Sequence, residues 1–141
     1  MNTKFSPIIK VRKQNIDKIE INLARCRALK NELQESLKMA TAALESYKFP
    51  KGGNANTIKI SLEEQRLLRE QKDSISEKLS LNQKEISHYE FQHKKAYIEL
   101  EKIKYLHNEE IKRYIQAVKK LEASNLDEIA VQRYSFMKDE Q

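Results

Sequence analysis

The chain has 141 residues and a net charge of +6, with 34% charged and 39% hydrophobic residues but only two glycines, two prolines and no tryptophan. A globular core of this length asks for more apolar mass and more turn residues, so the composition points to long helices. No apolar run approaches the roughly 20 residues of a membrane span, the basic start lacks the apolar stretch of a signal peptide, and the single cysteine, Cys26, leaves no internal disulfide and fits a reducing cytoplasm.

Ser6-Pro7 predicts a helix start, a capping hydroxyl followed by proline at the first helical position. From there one 3-4 alternation runs through Ile9, Arg12, Ile16, Ile19, Leu23, Cys26, Lys30, Leu33, Leu37, Ala40, Leu44 and Tyr47. A heptad seam sustained for about six repeats belongs to a coiled coil. The first helix is expected over residues 7–49, ending at Phe49-Pro50. Proline there lacks a donor and pushes the residue before it out of the helical region. The net charge gathers on this first segment: residues 1–30 carry eight basic groups against Asp17 and Glu20, whereas residues 57–141 carry sixteen of each sign.

Lys51-Gly52-Gly53-Asn54-Ala55-Asn56 holds both glycines and predicts a turn over residues 50–60. The phosphate-cradling pattern G-x-x-x-x-G-K-[ST] is absent. Ser61-Leu62-Glu63-Glu64 matches a capping box and is expected to start a second helix over residues 61–123. Its seam reads Leu68, Lys72, Ile75, Leu79, Asn82, Ile86, Tyr89, His93, Ala96, Leu100, Ile103, His107, Glu110, Tyr114, Ala117, Leu121. Ser124-Asn125 allows either a break, with a terminal helical segment over residues 124–137, or one continuous helix.

Two such helices joined by a short loop predict an all-α fold, an antiparallel coiled-coil hairpin forming one unit over residues 1–141. Folding at the turn pairs residue i with about residue 110 minus i, which sets Lys30 near Asn82 and Cys26 near Ile86. A polar pair in an apolar seam costs stability and fixes register. Pro7 falls opposite about Ile103, so the longer second helix overhangs its partner. Ile111, Tyr114, Ile115, Val118 and Leu121 nevertheless keep the amphipathic pattern there, and an exposed stripe of this kind calls for a partner. A homodimer or a bent-back tail would cover it without another protein.

No catalytic, metal or cofactor site is expected. His88, His93 and His107 form neither HExxH nor a spacing that shares a metal on one helix face, and Cys26 has no helix N-terminus beside it to lower its pKa. The chain therefore reads as not an enzyme. A basic helical hairpin can contact nucleic-acid phosphates, but here the basic residues are not interleaved with aromatics and the second helix adds no basic stripe, so no nucleic acid is expected. Membrane-surface binding is weakened because the seam consumes the apolar face of the first helix, and no direct membrane insertion is expected.

The two chain ends carry a resemblance. The opening FSPIIKVRKQNIDKIEINLARCRALKNEL, with Phe5 and Arg12-Lys13-Gln14, and the closing Leu126-Asp127-Glu128-Ile129-Ala130 with Arg133-Tyr134 resemble the FliJ family of flagellar type III export proteins. The resemblance implies a two-helix stalk, cytoplasmic and peripheral to the membrane-bound export apparatus, that inserts its paired termini into a hexameric export ATPase. It also implies contacts with an export gate membrane protein and with export chaperones. Carried over by residue, it marks Arg12, Lys13, Asp127, Glu128, Arg133 and Tyr134 as ATPase-binding candidates. The charge pattern adds Lys10, Arg25 and Arg27, and apolar surface near the turn makes Tyr47, Phe49, Leu62 and Leu67 candidates for the gate. An injectisome counterpart, a homodimeric adaptor and a nucleic-acid-binding arm stay open as alternatives.

Overall fold

A computed structural model describes residues Met1–Asp139, and Glu140 and Gln141, the last two of the closing stretch, lie outside the described residues. Two helices, α1 (Ser6–Glu45) and α2 (Ala55–Asp139), pack against each other as an all-α hairpin, with no strand among the described residues. By their contacts the described residues divide into two compact units, Asn15–Lys95 and Met1–Gln14 with the part of α2 from Ala96 onward.

The start of α1 is capped from further upstream than Ser6-Pro7 predicts. Thr3 Oγ1 accepts the Phe5 N–H at 3.1 Å, while the Thr3 N–H donates to Ser6 Oγ at 2.9 Å. This is the reciprocal arrangement of a capping box, with Ser6 reaching back where a Glu or Gln usually does. At its other end α1 stops at Glu45, short of the expected residue 49. Ser46 N–H still reaches the Ala42 carbonyl at 2.9 Å, and Tyr47 N–H tightens to the Leu44 carbonyl at 3.4 Å. Leaving the helix frees Tyr47 to cross to α2.

The second helix begins at Ala55, ahead of the expected residue 61. Asn54 is the cap: its Oδ1 accepts both the Thr57 N–H and the Thr57 hydroxyl at 3.0 Å. Gly53 makes the bend with φ of 134°, a conformation that favours glycine, and a Cβ there would crowd the Thr57 side chain at 3.1 Å. Ser61 and Glu64 therefore serve another purpose than capping. The Tyr47 hydroxyl lies 3.0 Å from the Ser61 carbonyl and 2.9 Å from a Glu64 carboxylate oxygen, tying the two helices together beside the turn. At the far end α2 passes Ser124-Asn125 without a break. Serine and asparagine each cost only about 0.5 kcal/mol against alanine in a helix, too little to stop one lacking glycine or proline.

In the unit Asn15–Lys95, α1 buries Ile16, Ile19, Leu23, Cys26 and Ala40, and α2 buries Ile86 and Asn82. Leu23, Cys26 and Ile86 form the central cluster, with Tyr89 packed against it. Asn82 Nδ2 donates to the Cys26 carbonyl at 3.1 Å, one helical turn from the Lys30 neighbourhood the pairing rule gives, and Lys30 is half-buried. Asn82 Oδ1 is enclosed without a hydrogen-bond partner. In the other unit Leu100 is buried, and Ile9, Ile103 and His107 are half-buried. Arg12, placed in the seam by its spacing, is exposed, because a long charged side chain keeps its guanidinium in water wherever the seam is open to it.

Because the seam is one side chain deep, single substitutions in it register strongly. Ile86→Ala should lower unfolding free energy by about 2–5 kcal/mol through lost burial and the void left against Leu23 and Cys26. Asn82→Leu should raise it by about 1 kcal/mol by removing the unpartnered Oδ1. Guanidinium unfolding followed by far-UV circular dichroism checks both, and equal midpoints for the three proteins would contradict this packing.

Candidate partner-binding surfaces

The unit Met1–Gln14 with Ala96–Asp139 holds most of the sequence-derived candidates. Its order starts from Thr3, whose Oγ1 lies 2.8 Å from His107 Nδ1 and so joins the cap of α1 to α2. Beside this contact Met1, Asn2, Thr3, Glu110 and Tyr114 line a small recess, in which Glu110 Oε2 is enclosed without a hydrogen-bond partner among the described residues. Lys4 stacks its ammonium over the Phe5 ring at 5.3 Å, a cation–π contact that holds the half-buried ring at the helix start.

Beyond Val118 every α2 side chain described is exposed. Of the overhang stripe, Ile111 and Val118 are half-buried, whereas Tyr114, Ile115 and Leu121 are exposed. Leu126 (66% exposed), Tyr134 (70%) and Phe136 (67%) stand free in a stretch that also carries Asp127, Glu128 and Arg133. Ile129, Gln132, Arg133, Phe136 and Met137 together line one shallow apolar face. Lys10, Arg12 and Lys13 belong to the same unit and are exposed, and none of these charged groups has an ion-pair partner among the described residues. The structure does not bring these three onto one surface with the closing stretch, which itself combines exposed apolar side chains with the unpaired charges of Asp127, Glu128 and Arg133.

Arg25 and Arg27 belong to the other unit, Asn15–Lys95, and both are exposed. Arg27 pairs with Glu90 at 3.4 Å, and with both side chains more than half exposed the pair contributes little to stability. His93 Nε2 meets Glu20 Oε1 at 3.1 Å. His93 and His107 thus each make one bond between the helices. Among the described residues no three His, Cys, Asp or Glu side chains are grouped to hold a metal ion.

Cys26 donates its thiol proton to Glu85 Oε2 at 3.6 Å. Burial first, and then the Glu85 carboxylate, push its pKa above the ordinary value of 9.0. Both causes disfavour the thiolate, which suits the place of Cys26 in the packed cluster with Leu23 and Ile86.

Near the turn Tyr47 is half-buried and its ring meets that of Phe49 edge-on, centroids 5.5 Å apart. Phe49, Leu62 and Leu67 are exposed. Sequence reasoning missed two surfaces. Ile58 and Ile60 are exposed beside Leu62, hidden from a reading that ended the turn at residue 60. Tyr97, Ile98, Tyr105 and Leu106 form an apolar patch with the stems of Glu101 and Lys102, and all four lie out of phase with the seam. That second patch was legible as apolar residues at a helical spacing the seam does not use.

Among the described residues no helix is long and apolar enough to cross a membrane. The model of one protein family, described as flagellar FliJ protein, matches residues 1–137. No curated protein and no solved structure matches the chain.

The thiol supplies a pH test with a fixed sign. A pKa raised by folding contributes stability that is complete below the ordinary value of 9.0 and is lost as pH rises through the higher folded value. Unfolding free energy should therefore fall above about pH 9 in the native chain and fall less in Cys26→Ala. At neutral pH a thiol-specific chromogenic disulfide should react slowly with the folded chain and fully after denaturation. Fast native-state labelling would contradict the buried, proton-donating thiol.

Proposed function

The chain belongs to the flagellar FliJ protein family and is a component of the flagellar export apparatus, and from that premise we propose that it is a non-enzymatic stalk and adaptor that binds and stimulates the export ATPase ring. The observation that carries this reading is the closing stretch of α2. It is a continuous helix to Asp139 whose Leu126, Ile129, Tyr134 and Phe136 are left exposed by the described residues. Burying one such side chain is worth about 1.5–3 kcal/mol, so a receptor that encloses several supplies the affinity. Asp127, Glu128 and Arg133, with Lys10, Arg12 and Lys13 in the same unit, supply charges to steer and orient it. A hexameric ATPase with a central opening fits such a helix. Arg25 and Arg27 extend the contact if the ring reaches the other unit.

The remaining partners follow from the same reading. The export gate membrane protein would be met through Tyr47, Phe49, Leu62 and Leu67, and export chaperones would be escorted by a chain that is cytoplasmic and peripheral to the membrane. The overhang stripe of Ile111, Tyr114, Ile115, Val118 and Leu121 would be enclosed with the closing stretch when the ring assembles.

ATP hydrolysis by the cognate export ATPase, measured with this chain, without it, and with a chain ending at Ala123, tests the proposal. The full chain should stimulate hydrolysis and ring assembly, and the truncated chain should not. Tyr134→Ala with Phe136→Ala should weaken stimulation at least tenfold, the scale of losing two interfacial aromatic anchors. A full chain without effect on an active ATPase would overturn it.

A further inference from the structure

The turn region carries a second surface. Between Glu45 and Glu63 the chain holds Lys48, Lys51 and Lys59 and no acidic residue. All three lysines are exposed, and none has an ion-pair partner among the described residues. Of the acids that flank the segment, Glu63 is held by Arg66 and Glu64 accepts the Tyr47 hydroxyl, while Glu45 has no such partner among the described residues. Among the lysines stand Phe49 (44% exposed), Ile58 (50%), Ile60 (59%) and Leu62 (53%). Ile58 and Leu62 are one turn apart on α2 and share a face, while Ile60 lies on the opposite side of the helix. The apolar groups therefore ring the first turns of α2 instead of forming one stripe.

A groove in a protein partner reads a stripe; a ring of apolar side chains interspersed with lysines suits a fluid plane. From Ile58 to Leu62 the helix rises about 6 Å, within the roughly 5–10 Å to which interfacial segments sink into the headgroup boundary. Glycine at position 52 has nothing within 4 Å of where a Cβ would stand, so the bend leaves this end unobstructed. We propose that the turn region, Lys48 to Leu62, docks on an anionic lipid surface, with Phe49, Ile58, Ile60 and Leu62 entering the headgroup layer and Lys48, Lys51 and Lys59 facing the lipid phosphates and carboxylates. The surface is separate from the closing stretch of α2, and its test contains no ATPase, so the outcome does not depend on the stalk reading.

The experiment is vesicle binding by the full chain at roughly 0.1 M salt, where exposed charges act over about 10 Å. Phosphatidylcholine vesicles containing phosphatidylserine are compared with pure phosphatidylcholine. Binding should require phosphatidylserine, fall about fivefold for each of Lys48→Gln, Lys51→Gln and Lys59→Gln, and vanish in Ile58→Ser with Ile60→Ser. All substituted side chains are exposed, so circular dichroism should show the helices intact. Because the opening residues are basic too, an environment-sensitive fluorophore distinguishes the ends: attached at Gly52→Cys in a Cys26→Ala chain it should shift to the blue on binding, and at Lys10→Cys it should not. No binding to anionic vesicles, equal binding to neutral ones, or a shift at position 10 alone would overturn the proposal. So would serine variants that keep lipid binding but lose a soluble domain of a membrane protein, which would make the turn region a protein contact.

Discussion

A hairpin of two helices has a single line along which to hide apolar surface, and every feature of this chain answers to that limit. Helix α1 offers one face, α2 offers one face, and the side chains between them are nowhere fully enclosed. Ile86 comes closest among the apolar residues and packs with Leu23 and Cys26, whose carbonyl is bonded by the buried Asn82. Replacing an apolar residue by asparagine there costs stability, but the bond from Asn82 to the Cys26 carbonyl is satisfied in one alignment and lost when either helix slides. Register in a seam of repeating Ile and Leu needs such a marker, since a shift by one heptad would otherwise bury nearly the same surface.

The contacts outside the seam reinforce that alignment locally. In the unit Asn15–Lys95, Glu20 meets His93, Arg27 meets Glu90, and the Tyr47 hydroxyl meets Ser61 and Glu64. In the unit containing both chain ends, the cap of α1 and the bond to α2 share one atom, Thr3 Oγ1. Most of these pairs are exposed and individually weak. Their value is geometric: each is formed in the register set by Asn82 and broken in its neighbours.

A fold with so little interior leaves apolar surface over, and where it remains is functionally informative. The side chains beyond Val118 and those around the turn are exposed for different reasons. The closing stretch of α2 is exposed because α1 is less than half as long, 40 residues against 85. The turn is exposed because α1 stops at Glu45, opposite about residue 65 by the pairing rule, so Ile58 and Ile60 lie past the end of α1. The first surface mixes charges of both signs with aromatics, and the second carries lysines alone. That difference in charge is why a protein receptor alone is proposed for the first, and a lipid surface beside the gate contact for the second.

The helical class, the hairpin and the register were legible in the sequence because a heptad repeat is a statement about which face is buried, and because two seams joined by one glycine-containing turn pair in a single way. The pairs Cys26–Asn82, Glu20–His93 and Thr3–His107 all follow the residue-110 rule to within a turn. The start of α1 was legible to within a residue, but the caps, the end of α1 and the start of α2 were not. Ser6-Pro7 and Ser61–Glu64 both match capping signatures, yet Thr3 and Asn54 hold the caps. Local patterns do not record competition. Ser61 falls inside a helix that Asn54, beside a glycine with φ of 134°, has already started, and its carbonyl takes the Tyr47 hydroxyl from the segment after α1. Exposure was equally hidden: the spacing that put Arg12 in the seam is the same as that of Ile16, and only the packed pair of helices shows that one faces water and the other does not. Periodicity belongs to one helix, so the sequence determined it; caps, ties and free surfaces belong to two helices at once, so the tertiary structure decided them.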